Sequence, residues 1–226
     1  NMFPLFRSSL VAAGFLMLAG QAAAANIPVI SYDIPNGSGQ ANGGSFNYWD
    51  KEYTGSGSVT TDGAALSGGV GNLTDGQTTN LNWFASENAA GTGPYVGWLS
   101  SVTAKPLLKF NFGSSVKIGS ITIHLDDSNN TGGVNPPSGI GISTDGANFD
   151  VRTIVDPASG DPFAVTFAGL NLDTDAVWLS LFYDNIWIFI DEVSFAEPES
   201  GVPEPGVLSL LGLSLVALAR RRRQAP

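Results

Sequence analysis

His124 is the only histidine of this 226-residue chain, and there is no cysteine. Imidazole and thiolate chemistry therefore have at most one residue to work with. A serine triad needs its histidine paired with a nucleophile elbow such as G-x-S-x-G, and none accompanies His124. The same count excludes a transition-metal site built from several imidazoles, and the lack of cysteine excludes disulfides, thiolate metal sites and a cysteine nucleophile. Glycoside hydrolysis asks for two carboxylates roughly 5–10 Å apart across a cleft. Acidic residues abound here, but no pair stands in a recognisable motif. No phosphate loop or dinucleotide fingerprint is present. The sequence predicts a chain that binds and does not catalyse.

Binding of a sugar needs an aromatic face for the apolar side of a pyranose and a few fixed polar groups for its hydroxyls. Trp83, Phe84 and Tyr95 lie in the long connection that precedes His124, and His124 stands just before the loop from Asp126 to Pro137. His124, Trp83 and Tyr95 are the candidate ligand-binding residues. A plainer reading stands beside this one, with Trp83 and Trp98 in the core and His124 on the surface. The oxygen-rich run Asp126-Asp127-Ser128-Asn129-Asn130 could hold a hard cation, with simple surface solvation as its plainer reading.

The elements that must position these residues read as strands. Turn formers are dense, and apolar residues alternate in short runs with period two. The clearest strands are Leu107 to Phe112, Val116 to Leu125, Gly139 to Ser143, Phe149 to Val155, Phe163 to Phe167, Ala176 to Tyr183 and Trp187 to Phe195, with an early one at Pro28 to Ile34. Ile121, Ile123 and Leu125 fall on one face and Thr122, His124 and Asp126 on the other, so His124 should point to solvent or to a loop-lined cleft. The last two strands are apolar on both faces and should be central. The glycine-rich stretch Gly37 to Gly71, which holds Phe46-Asn47-Tyr48-Trp49, is expected to form a long-looped hairpin over the edge. Three Thr-Asp-Gly tripeptides read as turns and not as a repeat. The whole pattern predicts an all-β, two-sheet sandwich.

Residues 26–200 hold nineteen of the twenty acidic residues, all but Glu204, against only Lys51, Lys105, Lys109, Lys117 and Arg152. Such a surface lacks the field of bases that a phosphate backbone requires, so nucleic acid is excluded as a partner.

Both ends read as addresses. Arg7, the apolar run Leu10 to Ala19 and the A-x-A site formed by Ala23 and Ala25 predict a secretory signal peptide over residues 1–25. At the other end Val202-Pro203-Glu204-Pro205 precedes an apolar run at 206–219 and the block Arg220-Arg221-Arg222-Arg223, which the positive-inside rule keeps in the cytoplasm. This order resembles the PEP-CTERM sorting signal of Gram-negative bacteria. The resemblance covers 202–226, after a tether at 197–201. It implies a membrane helix at 206–219, transit through the inner membrane, processing by an exosortase-type membrane protease, and a destination at the cell surface or in an exopolysaccharide or biofilm matrix.

Between these ends a second resemblance appears. Leu73-Thr74-Asp75-Gly76, Trp83, Gly97-Trp98, Leu108 to Gly113, Ser143-Thr144-Asp145-Gly146-Ala147-Asn148-Phe149 and Ile190-Asp191-Glu192-Val193 occur in the order of the landmarks of discoidin, or F5/8 type C, domains. The resemblance spans residues 71–196 and leaves 26–70 as a glycine-rich lead-in. It implies a galactose-binding-like jelly roll, carbohydrate binding, and a structural Ca2+ held between an early D-G loop and a late acidic residue. Asn72, Asp75, Asn80 and Glu192 would be its ligands, Asn80 standing where the family has threonine. Two functions follow: a surface-sorted module that binds extracellular polysaccharide, or a structural matrix or envelope component with no specific ligand, with hydrolysis of matrix glycan a distant third.

Overall fold

Ile121, Ile123 and Leu125 have no exposed surface, as an alternating strand with one buried face demands. A computed structural model describes residues 24–39 and 45–199 of the chain. The signal peptide apart from Ala24 and Ala25, including the Ala23 position, and the whole sorting segment with its 206–219 run lie outside the described residues. Residues 24–199 form one compact unit. Its strands are β1 (Asn26–Ile27), β2 (Ser31–Pro35), β3 (Ala65–Gly69), β4 (Val96–Leu99), β5 (Leu107–Leu125), β6 (Gly139–Ser143), β7 (Asp150–Thr153), β8 (Phe163–Phe182) and β9 (Trp187–Ala196). One short helix, α1 (Trp83–Ser86), interrupts them.

Two expected strand boundaries are absent. The breaks anticipated near Gly113 and near Gly169 are irregularities inside β5 and β8, which run on through them. Gly113 (φ +76°), Gly169 (φ +69°) and Asn171 (φ +50°) take up the left-handed conformation that these kinks require. Because β5 and β8 are so long, each serves both layers of the sandwich. The first part of β5 pairs with β2 and with the end of β8, which also carries β6 and then β7. The last part of β5 pairs with β9 and with the start of β8, and β9 carries β1 and β4 on its other side. The layers close over one core in which Phe110 and Phe195, one from each layer, meet at a tilt with ring centroids 5.2 Å apart.

β3 and β4 were not legible as strands. β3 lies within the glycine-rich stretch and pairs with β2. β4 passes so close to β9 that a Cβ at Gly97 would stand 1.8 Å from the Phe189 ring, so only glycine fits there. The Trp98 indole is fully buried and donates to the Pro35 carbonyl at 2.8 Å. A second, smaller apolar cluster of Tyr48, Tyr95, Val134, Trp187 and Phe189 lies beside the main core. β1 pairs Asn26 with Ala196 and Ile27 with Phe195, and the Glu197 N–H donates to the Ala25 carbonyl at 2.9 Å. The chain thus enters and leaves the domain side by side.

Candidate functional site

The site is built on a break in the ladder between β5 and β9. His124 stands opposite Glu192 and Leu125 opposite Ile190, so Asp191 is an extra residue, a β-bulge. Strict alternation would send Asp191 and Glu192 to opposite faces. With the bulge, both carboxylates receive the loop that follows the 3-10 turn Asn72–Thr74. The Gly76 N–H donates to Glu192 Oε2 at 3.0 Å and the Thr79 N–H to Asp191 Oδ2 at 2.8 Å. The other oxygen of Asp191 lies 2.6 Å from His124 Nδ1. His124 is therefore largely enclosed, its side chain 13% exposed, which corrects its reading as a surface residue.

The far end of this strap is fastened to a third carboxylate. The Trp83 N–H donates to Asp126 Oδ2 at 3.0 Å. The Asn82 side-chain nitrogen lies 2.9–3.1 Å from four oxygens, those of Asp126 Oδ1, the Asp127 carbonyl, Ser128 Oγ and the Gly160 carbonyl. Asp126, Asp127 and Ser128 are buried, which overturns surface solvation as the reading of these three, whereas Asn129 and Asn130 are exposed. Burial pushes the Asp126 carboxyl up to about 6 against the hydrogen bonds it accepts.

Asp75 and Glu192 do meet. Both line an open groove of about 320 Å3 with Thr74 and Gly76. Burial pushes the Glu192 carboxyl up to about 7, and the charges of Asp75 and Asp191 add to the shift. Each keeps one oxygen free of the bonds described here, since Asp75 Oδ1 accepts the Gln77 N–H at 2.8 Å and Glu192 Oε2 the Gly76 N–H. A hard cation beside two such oxygens would relieve their repulsion, and the pair supplies only part of the six to eight oxygens that Ca2+ takes. Asn72 and Asn80 are not drawn into this pair. The Asn72 amide donates to the carbonyls of Gly93 and Pro94 at 3.0 and 3.3 Å, and Asn80 is exposed. Among the described residues no cluster of three or more His, Cys, Asp or Glu is placed to hold a metal.

Of the aromatic candidates, Tyr95 is fully buried in the smaller core and supports the strap by donating to the Leu81 carbonyl at 3.0 Å. It has no surface for a ligand, which corrects its place among the candidates. Trp83 is half-buried, wedged edge-on against Phe46 at 5.2 Å between centroids, and donates to the Thr131 carbonyl at 3.3 Å. The exposed surface belongs to its neighbours, Phe84 at 51%, Leu81 at 53% and Ile186 at 48%. The 3-10 turn Thr131–Gly133 lies between Trp83 and Ile186, with Gly132 against the Trp83 ring and Gly133 against Ile186. Sequence reasoning missed Asn82 and the bulge at Asp191, and it named Phe84 without placing it among the candidate ligand-binding residues. It also missed Glu87, whose buried Oε1 accepts the Tyr95 N–H at 2.9 Å while Oε2 has no hydrogen-bond partner among the described residues.

Comparison with known proteins follows the same outline. The family model for the discoidin domain-containing receptor 1/2 DS-like domain matches residues 28–197, and that for the PEP-CTERM protein-sorting motif matches residues 201–223. Neither is a catalytic family. No curated protein matches the chain. Similar solved structures include the CBM32 of AlyQ in complex with 4,5-unsaturated mannuronic acid, at 15% identity over 55% of this chain and 82% of that one, TM-score 0.36. A truncated AlyQ with CBM32 and alginate lyase domains shares 16% identity over 58% of this chain and 30% of that one, TM-score 0.38. The F5/8 type C domain of a Bacteroides fragilis protein shares 12% identity over 57% and 80%, TM-score 0.37.

Proposed function

Since the chain belongs to the discoidin DS-like family and carries a PEP-CTERM sorting motif, we propose that it is a non-catalytic, surface-sorted module that binds extracellular carbohydrate. An exosortase-type protease would process the motif. The observation that carries the binding role is a platform centred on the exposed Phe84 ring, with the exposed Leu81 three residues before it and Trp83 behind it, whose own ring rests against Gly132 of the Thr131–Gly133 turn. An aromatic ring held from behind by Trp83, at 5.5 Å between centroids, is a rigid surface for a sugar face.

Calcium is part of this proposal. Asp75 and Glu192 would hold it, and it would supply charge neutralisation and a fixed position for the strap. The test is a glycan-array screen of the chain in calcium and in chelator, repeated with Phe84→Ala. Binding to a defined sugar class that Phe84→Ala weakens is the expected result. Binding that Phe84→Ala and Leu81→Ala leave untouched would remove the platform from the argument.

One observation favours the second reading, a matrix component. Residues 163–172 of β8 pair only with β5 among the described residues, and this free edge carries no charged side chain. Uncharged edges of that kind accept strands from another copy. Sedimentation of the chain over a range of concentrations separates the readings, because self-association without glycan binding belongs to the matrix component alone.

A further inference from the structure

The domain is short of positive charge, and what it has is unevenly placed. Of the five bases between residues 26 and 200, two lie on the outer face of the layer formed by β2, β5, β8 and β6, and both rest on aromatic rings. Lys109 Nζ stands 5.2 Å from the centre of the Trp178 ring, and Lys105 Nζ stands 4.9 Å from Phe182 and 6.0 Å from Phe149. Lys109 and Trp178 are direct cross-strand partners, and Leu107 and Ser180 form the next such pair on that face. Leu107 is 41% exposed. Trp178, Leu107 and Lys109 floor a groove of about 450 Å3, walled by Asp33, Pro35, Ala65 and Ser67.

A lysine stem lying on an indole is common surface chemistry, and alone it says nothing of a ligand. The surroundings add more. Asp33, the acid nearest Lys109 at 3.9 Å, also accepts from Ser67 Oγ and the Gly68 N–H at 2.8 and 2.9 Å. Those bonds draw on its charge and leave the ammonium loosely paired. The face thus offers an apolar floor of saccharide width, an ammonium on a flexible stem at its centre, and a second ammonium further along. The nineteen acids of residues 26–200, only Asp33 of them lining this groove, otherwise repel anions.

The geometry points to a second binding site here, for an acidic saccharide. The apolar face of a uronic acid ring would lie on Trp178 and Leu107, and its carboxylate would take the Lys109 ammonium, with Lys105 receiving the carboxylate of a neighbouring residue. A neutral sugar has no use for the lysines. A nucleic acid would need many more cations than two. The inference rests on the carbohydrate reading above but shares no residue with the Phe84 platform.

The test uses the full chain in detergent, titrated with oligogalacturonate and with its fully methyl-esterified, neutral twin. Tryptophan fluorescence and calorimetry read the binding. Oligogalacturonate should bind roughly tenfold tighter than the ester, with a preference that falls as salt is raised. Lys105→Gln with Lys109→Gln should erase the preference, Trp178→Ala should abolish binding of both forms at this face, and Phe84→Ala should leave the preference intact. Equal affinity for the two forms, or a preference that survives the double lysine variant, would overturn the site. If only Phe84→Ala removes binding, the outer-face site falls and the platform stands. If no saccharide of either kind binds, the carbohydrate reading falls and takes this site with it. Thermal melts of the glutamine variants within a few degrees of the parent secure the comparison.

Discussion

His124 Nδ1 and Asp191 Oδ1 lie 2.6 Å apart, while the opposite oxygen of the same carboxylate holds the Thr79 N–H. The single histidine therefore acts through a loop it does not belong to. His124→Ala leaves a carboxylate with no exposed surface missing one of its partners, at a cost of about 1–3 kcal/mol. Urea denaturation should show that loss, and hydrogen exchange at residues 75–82 should accelerate. Unchanged exchange there would mean that the strap does not depend on the pair.

Glu87 sets a pH dependence. Burial, with the charge of Asp126 adding to it, pushes its carboxyl from the ordinary 4.5 up to about 8. The folded form then binds more protons than the unfolded chain between those values, so stability falls as pH rises from about 4.5 to about 8. Glu87→Gln removes the ionisation. The variant should match the parent near pH 4 and exceed it above pH 8 by a few kcal/mol, on the order that such a shift implies. Melting temperatures across that range check it, and a constant difference would show that Glu87 does not titrate between the states.

Calcium should act on stability through Glu192. In chelator Glu192→Ala removes a half-buried, repelled carboxylate and should leave the melting temperature level or raised. In calcium the parent gains by mass action and the variant does not. A variant that loses equally in both conditions would reject calcium at Asp75 and Glu192.

At the platform, Phe84→Ala touches a ring that is 51% exposed, so its stability cost should stay within about 1 kcal/mol. Its cost in glycan affinity should be larger, roughly ten- to hundredfold, because a stacked ring gives most of the contact area. Trp83→Ala should do the reverse, loosening the fold first, because it removes the support under Phe84 and the bond to Thr131.

Most of the strand plan was readable because one buried face leaves its mark every second residue, as in Ile121, Ile123 and Leu125. The pairing of Asp75 with Glu192 came through the resemblance of their flanking residues. Other features rest on contacts that leave no local mark. The bulge at Asp191 breaks the very period that made β9 visible, so the side Asp191 faces could not be read from the alternation. Asp126 and Asp127 look like a solvated turn until Asn82 and Gly160, distant in sequence, close over them. β4 is four residues long with a glycine inside it, too short for a periodic signal. Lys109 and Trp178 are 69 positions apart and meet only through the ladder between β5 and β8.

The adjacent entry and exit of the chain bear on how the domain would carry a mechanical load. A pull through Glu197 acts along β9, whose hydrogen bonds to its neighbours lie across the strand. Those neighbours are β1 at 195–196, β5 at 190–196 and β4 at 187–190. Drawn lengthwise, these rungs are sheared together and do not peel apart one at a time. The strand nearest the sorting end is thus held against being dragged out by three neighbours along its whole length.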